Sequence, residues 1–180
     1  MNYCSHCGSA QLVSKIPEGE HLPRIVCDAC NTIHYQNPKI VTGCLPIWED
    51  KVLLCKRAIE PRYGLWTLPA GFMENNETIE QAAIRETREE SEANVELLNL
   101  YTVISLPHIS QVYMMFRTKL LDLTFAPGIE SLDVRLFTEA EIPWEKIAFA
   151  TIHRTLTQYF QDRKNNDFPL HMSMINKKND

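Results

Sequence analysis

The chain has no apolar run near the ~20 residues that span a bilayer, which excludes a membrane-crossing helix. Its opening residues, Met1-Asn2-Tyr3-Cys4, carry neither the charged nor the apolar stretch of a secretory leader. A cytoplasmic protein with no membrane partner is therefore expected. No internal repeat or low-complexity tract is present, so solenoids and linker-rich chains drop out. Positive charge is in short supply: 18 Lys and Arg against 23 Asp and Glu leave a net charge of -5. A nucleic-acid scaffold would carry a basic face, so nucleic acid is not an expected partner. Phosphate-bearing small molecules stay open, because a bound divalent cation reverses the local sign of a site.

What is present suits one medium domain with a small module attached, since 180 residues can bury a core without cross-links. Residues 1–37 read as the module, 38–165 as the main domain, and 166–180 as a C-terminal tail that frays at Lys177-Lys178-Asn179-Asp180. Within the module, Cys4-x2-Cys7 and Cys27-x2-Cys30 are separated by 19 intervening residues. That spacing suits a four-thiolate zinc ribbon, each pair gripping a structural Zn²⁺ from one tight turn. Gly8 and Asn31 follow the pairs directly, and both residue types tolerate the left-handed backbone of such a knuckle. The competing readings are disulfides or a redox pair, which a cytosolic setting disfavours. Lys15 and Arg24 face Glu18, Glu20 and Asp28 here, so the module lacks the basic stripe that phosphate backbones require. Cys44 and Cys55 lie in apolar stretches and read as core.

In the main domain, strands are expected over 40–48, 52–55, 97–106, 111–120 and 134–137, with a turn at Glu49-Asp50. A loop is expected over 59–65, followed by a short segment at 66–69. Thr78 followed by Gln81 is a capping-box signature for a helix reaching about Glu92, with Asn94 placed to end it. A second helix is expected over 149–163. Mixed strands with helices on both sides predict an α/β fold, an α/β/α sandwich around a mixed sheet.

The first helix carries the chemistry. Glu86, Glu89 and Glu90 are three and four residues apart and share one flank. Such helices are in most proteins solvated faces laced with ion pairs. Here like charges repel by roughly 0.2–0.5 kcal/mol per pair, a conflict that a hard cation such as Mg²⁺ removes. Arg85 is spaced to pair with Glu89, and Arg88 with Glu92.

Gly71, Glu77, Arg85, Glu86, Glu89 and Glu90 together resemble the Nudix box, G-x5-E-x7-R-E-U-x-E-E-x-G-U, and Leu68-Pro69-Ala70 resembles its usual lead-in. Thr87 replaces an aliphatic residue, and Glu92 stands where that family has a glycine. The resemblance implies a Nudix fold and a Mg²⁺- (or Mn²⁺-) dependent hydrolase that cleaves a nucleoside-diphosphate derivative by attack of water on phosphorus. It implies metal ligation by Glu86, Glu89 and Glu90, with Glu77 helping, and an orienting role for Arg85. The proton acceptor is expected to be Glu89 or Glu90, with Glu130 and Glu139 as alternatives on distant loops. A homodimer is expected, as dimers are common in that family.

A tetracysteine module before such a box resembles two subgroups. NADH pyrophosphatases carry Ser-Gln-Pro-Trp-Pro-Phe-Pro after the box, whereas this chain has Ser105-Leu106-Pro107-His108-Ile109-Ser110-Gln111. The Ile33-His34-Tyr35-Gln36-Asn37-Pro38 and Leu106-Pro107-His108 segments are similar to the shorter subgroup, which acts on ADP-ribose and FAD. That resemblance implies ADP-ribose or FAD as substrate, with AMP released. The alternatives are NADH or NAD-capped RNA as substrate, and a nucleotide-sensing regulator that binds without cleaving. A regulator would show a broken carboxylate set. Gly71, Tyr63, Trp66 and His108 are the expected substrate contacts, and Tyr35, Trp48, Phe72 and Tyr113 are further candidates for stacking a base.

Overall fold

The computed structural model describes residues 1–176, so the Lys177–Asp180 end read as frayed lies outside the described residues. The chain divides into two compact units, Met1–Asn37 and Pro38–Asp180. The first is a three-stranded antiparallel sheet of β1 (Leu12–Lys15), β2 (Arg24–Cys27) and β3 (Ile33–His34), in the order β1-β2-β3.

The second unit is built on an eight-stranded mixed sheet. Its strands are β4 (Lys39–Trp48), β5 (Lys51–Arg57), β6 (Trp66–Thr67), β7 (Ala70–Phe72), β8 (Val95–Leu106), β9 (Gln111–Leu120), β10 (Ser131–Phe137) and β11 (His171–Met174). The main path runs β10-β5-β4-β9-β8-β11, with β6 on β5 and β7 on β4. The β4/β9 and β8/β11 pairs are parallel and the remaining pairs antiparallel. Two helices complete the unit, α1 (Ile79–Ser91) and α2 (Ala150–Arg163).

Alternation along the strands decides which helix lies where, because successive side chains point to opposite faces. Leu45 of β4 and Met115 of β9 pack with Ile152, Leu156 and Phe160 of α2. Their neighbours Cys44 and Phe116 pack with Ala83 of α1. The helices therefore cover opposite faces, which is the α/β/α sandwich expected. No helix among the described residues is long and apolar enough to cross a membrane.

Helix α1 starts as its sequence dictates. Thr78 accepts from the Gln81 amide at 3.2 Å, and the Gln81 side chain accepts from the Thr78 amide at 2.8 Å. Thr87 is fully buried, and its hydroxyl donates to the Ala83 carbonyl at 2.7 Å, which reconciles a polar group with a place usually aliphatic.

The helix ends differently from expectation. Glu92 itself takes the left-handed conformation, φ 52°, and its amide closes on the Arg88 carbonyl at 2.8 Å, so Asn94 is not the terminator. Glu92 thus fills the glycine position of the motif and its backbone role together, at a cost of about 1 kcal/mol for a residue with a Cβ. Turned out of the helix, it makes no ion pair with Arg88.

The segment read as a tail also differs. Residues 171–174 add the parallel edge strand β11 beside β8. Side chains of α2 fasten it: Asp162 meets His171 at 2.6 Å, and Arg154 donates to the Met174 carbonyl at 3.0 Å.

Candidate functional site

The first unit brings its four cysteines together. The Cys4, Cys7, Cys27 and Cys30 sulfurs all lie within 4.8 Å of one another, with Cys4–Cys30 at 3.7 Å and Cys7–Cys27 at 3.6 Å. A disulfide would close to about 2.05 Å. A tetrahedron of thiolates at about 2.3 Å from zinc spaces its sulfurs by about 3.8 Å, so the donors and their separations suit that ion. Gly8 and Asn31 stand at φ 74° and 58°, the left-handed knuckles the spacing predicts.

In the second unit, an open cleft of about 1540 Å³ is walled by α1, β7, the 127–130 loop and the start of α2. Glu86, Glu89 and Glu90 all line it. Arg85 stands among the acids: it donates to Glu77 through Nε and Nη2 at 3.0 and 2.7 Å, to Glu86 at 2.7 Å and to Glu89 at 3.0 Å. One guanidinium thus bridges three carboxylates, and a further bond to the Phe72 carbonyl at 3.2 Å pins it to β7.

The Arg85 hydrogen bonds hold Glu77 down near 2, well below an ordinary carboxyl. Glu90 is only 6% exposed and its carboxylate accepts one amide, from Ala70 at 3.3 Å. Burial pushes it up to about 8, with Glu86 adding repulsion and Arg57 offsetting part of it. Burial likewise raises Glu86. The cluster holds more negative charge than Arg85 neutralises, and its oxygens do not converge as the cysteine sulfurs do. Hard oxygen donors carrying more negative charge than one arginine neutralises suit a hard divalent cation.

Gly71 belongs to this cluster, because a Cβ there would collide with the Glu86 carboxylate. Gly128 performs a similar service. It presses against the Glu89 carbonyl where no side chain fits, and its amide donates to the Glu90 carbonyl at 3.1 Å. That seat carries Glu130 to the cleft.

Of the expected substrate contacts, Gly71 and His108 line the cleft. Trp66 does not: at 7% exposure it is core, edge-on to Phe137 at 4.9 Å, because its place on β6 points it under α2. Tyr63 is exposed but lies outside the cleft wall. Phe72 and Tyr113 line it, whereas Trp48 packs beside Leu53 and Ala93. Missing from the expected set are Arg57 and Phe149, which the cleft brings together. A single arginine ending a strand gives no sequence signal of its own.

Comparisons with known proteins agree with this geometry. The family model described as NUDIX domain matches residues 37–160, and one described as Nudix N-terminal, a zinc ribbon, matches residues 2–36. The crystal structure of a NUDIX hydrolase from Nitrosomonas europaea is 62% identical, covers 98% of this chain and 100% of its own, and superposes with a TM-score of 0.95. The NAD-capped RNA hydrolase NudC of Photobacterium profundum is 28% identical over 79% of this chain and 52% of its own length. An ADP-ribose pyrophosphatase of Methanocaldococcus jannaschii is 36% identical over 41% of this chain and 43% of its own. The chain spans about half the length of these curated relatives.

Proposed function

This chain belongs to the Nudix family, and from that premise we propose that it hydrolyses the pyrophosphate bond of a nucleoside-diphosphate derivative, ADP-ribose or FAD foremost, releasing AMP. The observation that carries this reading is the set of Glu77, Glu86 and Glu89 around the Arg85 guanidinium at the wall of an open cleft, with Glu90 buried beside them. Glu86, Glu89, Glu90 and Glu77 are the residues that would hold Mg²⁺ or Mn²⁺. When bound, such a cation neutralises the charge of a diphosphate and makes water more acidic.

The protein's own groups supply the rest. Glu89 has a side chain 59% exposed, whereas Glu90 is only 6% exposed, so Glu89 is the better placed of the two to accept a proton from water in the cleft. Arg85 is the positioning residue, fixing three carboxylates at once. Gly71 leaves room for Glu86 to lie against β7. His108 and Gly71 are on the wall where substrate would lie.

A second reading takes NADH or the NAD cap of an RNA as substrate, and the NudC relatives favour it as strongly as the pyrophosphatase relative favours the first. Nucleic acid therefore returns as a candidate partner despite the acidic charge. A non-cleaving regulator fits less well, since its carboxylate set would be broken and here it is complete. A homodimer is part of the proposal, checked by light scattering in solution.

The test is a panel of ADP-ribose, FAD, NADH and NAD-capped RNA with Mg²⁺, scored by AMP release or decapping. AMP from ADP-ribose or FAD supports the first reading, and turnover confined to NADH or capped RNA selects the second. No turnover of any phosphoanhydride would leave only the regulator.

A further inference from the structure

Helix α2 begins at the cleft. Its first three residues, Ala150, Thr151 and Ile152, line the wall, as does its N-cap residue Phe149. The N-terminus of a helix of 14 residues presents unpaired amides and a positive dipole end. Most helices satisfy that end with a capping side chain or an acid in the first turn. Here Phe149 offers no cap, and the first turn holds no acidic residue. The Phe149 carbonyl accepts from Ile152 and His153, leaving the Ala150 and Thr151 amides without a backbone partner.

Two side chains make this more than a bare helix end. Arg57 is only 9% exposed and lies over the Phe149 ring, 5.1 Å from guanidinium carbon to centroid. Its Nε donates to the Pro61 carbonyl at 2.9 Å, while both terminal nitrogens lack a protein partner among the described residues. Those two nitrogens are not sealed from solvent, so they stand open to an acceptor that enters the cleft. Thr151 is 1% exposed, and its hydroxyl also has no hydrogen-bond partner. Donors from a strand end and a helix start line one cleft, where no acid of α2's first turn answers them and Glu90, which feels the Arg57 charge, makes no hydrogen bond to it.

We propose that the N-terminus of α2, together with Arg57 and Thr151, forms an oxyanion subsite that grips a phosphate group by its non-bridging oxygens. Two backbone amides, the guanidinium and a hydroxyl are the donors such a group takes. None belongs to the acidic helix, so the subsite works without a cation. It rests on the hydrolase reading only for the identity of the phosphate: the substrate's own, held while the acidic helix attends to the scissile bond.

The experiment is a titration of the full chain with inorganic phosphate and with AMP in EDTA, followed by amide chemical shifts. Saturable shifts of Ala150 and Thr151 with either ligand are expected. AMP moving them would identify the substrate's phosphate, and inorganic phosphate alone would identify the free ion. Ala150→Pro removes one donor at the first helical position, where proline is tolerated, so the fold is kept. It and Thr151→Val should each weaken binding several-fold, and Arg57→Gln by about tenfold or more. Shifts that never saturate, or an Ala150→Pro protein that binds unchanged, overturn the subsite. Because no divalent ion is present, binding without turnover in the nucleotide panel would keep the subsite and discard the hydrolase.

Discussion

The two metal-competent centres of this chain are prepared in opposite ways. Four cysteine sulfurs are gathered within 4.8 Å by two knuckles, a closed set that leaves no position for substrate. On α1, Glu86 and Glu89 are held by an arginine, and with Glu90 they face a cleft. A soft, complete set belongs to a structural ion, whereas a hard and incomplete one is finished only when cation and substrate come.

The hardest blow to that contrast is Glu89→Gln. It should cut AMP release at least about a hundredfold while leaving the fold intact, since the change is isosteric and exposed. Unchanged turnover would remove Glu89 from the chemistry. On the other side, Cys27→Ser should drop bound zinc from about one equivalent per chain to nearly none by elemental analysis, and melt the three-stranded sheet. Zinc retained in full would sink the four-thiolate assignment.

A subtler test uses pH. Glu90 ionises near 8 in the folded protein against 4.5 ordinarily, so the native state holds a proton that the unfolded chain has released. The stability this confers is complete below the ordinary value and drains away as pH rises through 8. The metal-free protein should thus melt lower at about pH 8.5 than at about pH 5.5, and saturating Mg²⁺ should shrink the difference. Glu77, lowered to about 2, acts only at the acid end and leaves that window alone. A melting temperature that rises over the same interval would contradict the burial of Glu90. The smallest effect is expected from Glu92→Gly, which relieves the left-handed backbone and should add up to about 1 kcal/mol of stability in urea unfolding.

What the residues disclosed in advance was local and periodic. The capping box of Thr78 and Gln81, the shared flank of Glu86, Glu89 and Glu90, and the paired cysteines are each written within one or two turns of chain. What they hid was set by distant partners. Strand β11 has no apolar run, and it exists because Asp162 and Arg154 of α2 hold His171 and Met174. Trp66 gave the aromatic signal of a stacking platform, yet packing against Phe137 drew it into the core. Glu92 ends its helix where Asn94 has the better propensity, and the distant amides of Gly128 and Ala126 take the Glu90 and Ser91 carbonyls at 3.1 and 2.9 Å. Arg57 became meaningful only when Phe149, far along the chain, was brought beneath it.

The parallel pairing of β4 with β9 has a bearing on how the molecule is made. Lys39 meets Gln111 and Ile47 meets Lys119, so one flank of the central strand waits for chain synthesised much later. At ~5–20 residues per second on the ribosome, β4 and β5 emerge seconds before that flank can be covered. Until then the nascent chain bares a strand edge with Val41, Cys44 and Leu45 beside it, a natural landing place for a chaperone or for a neighbouring nascent copy.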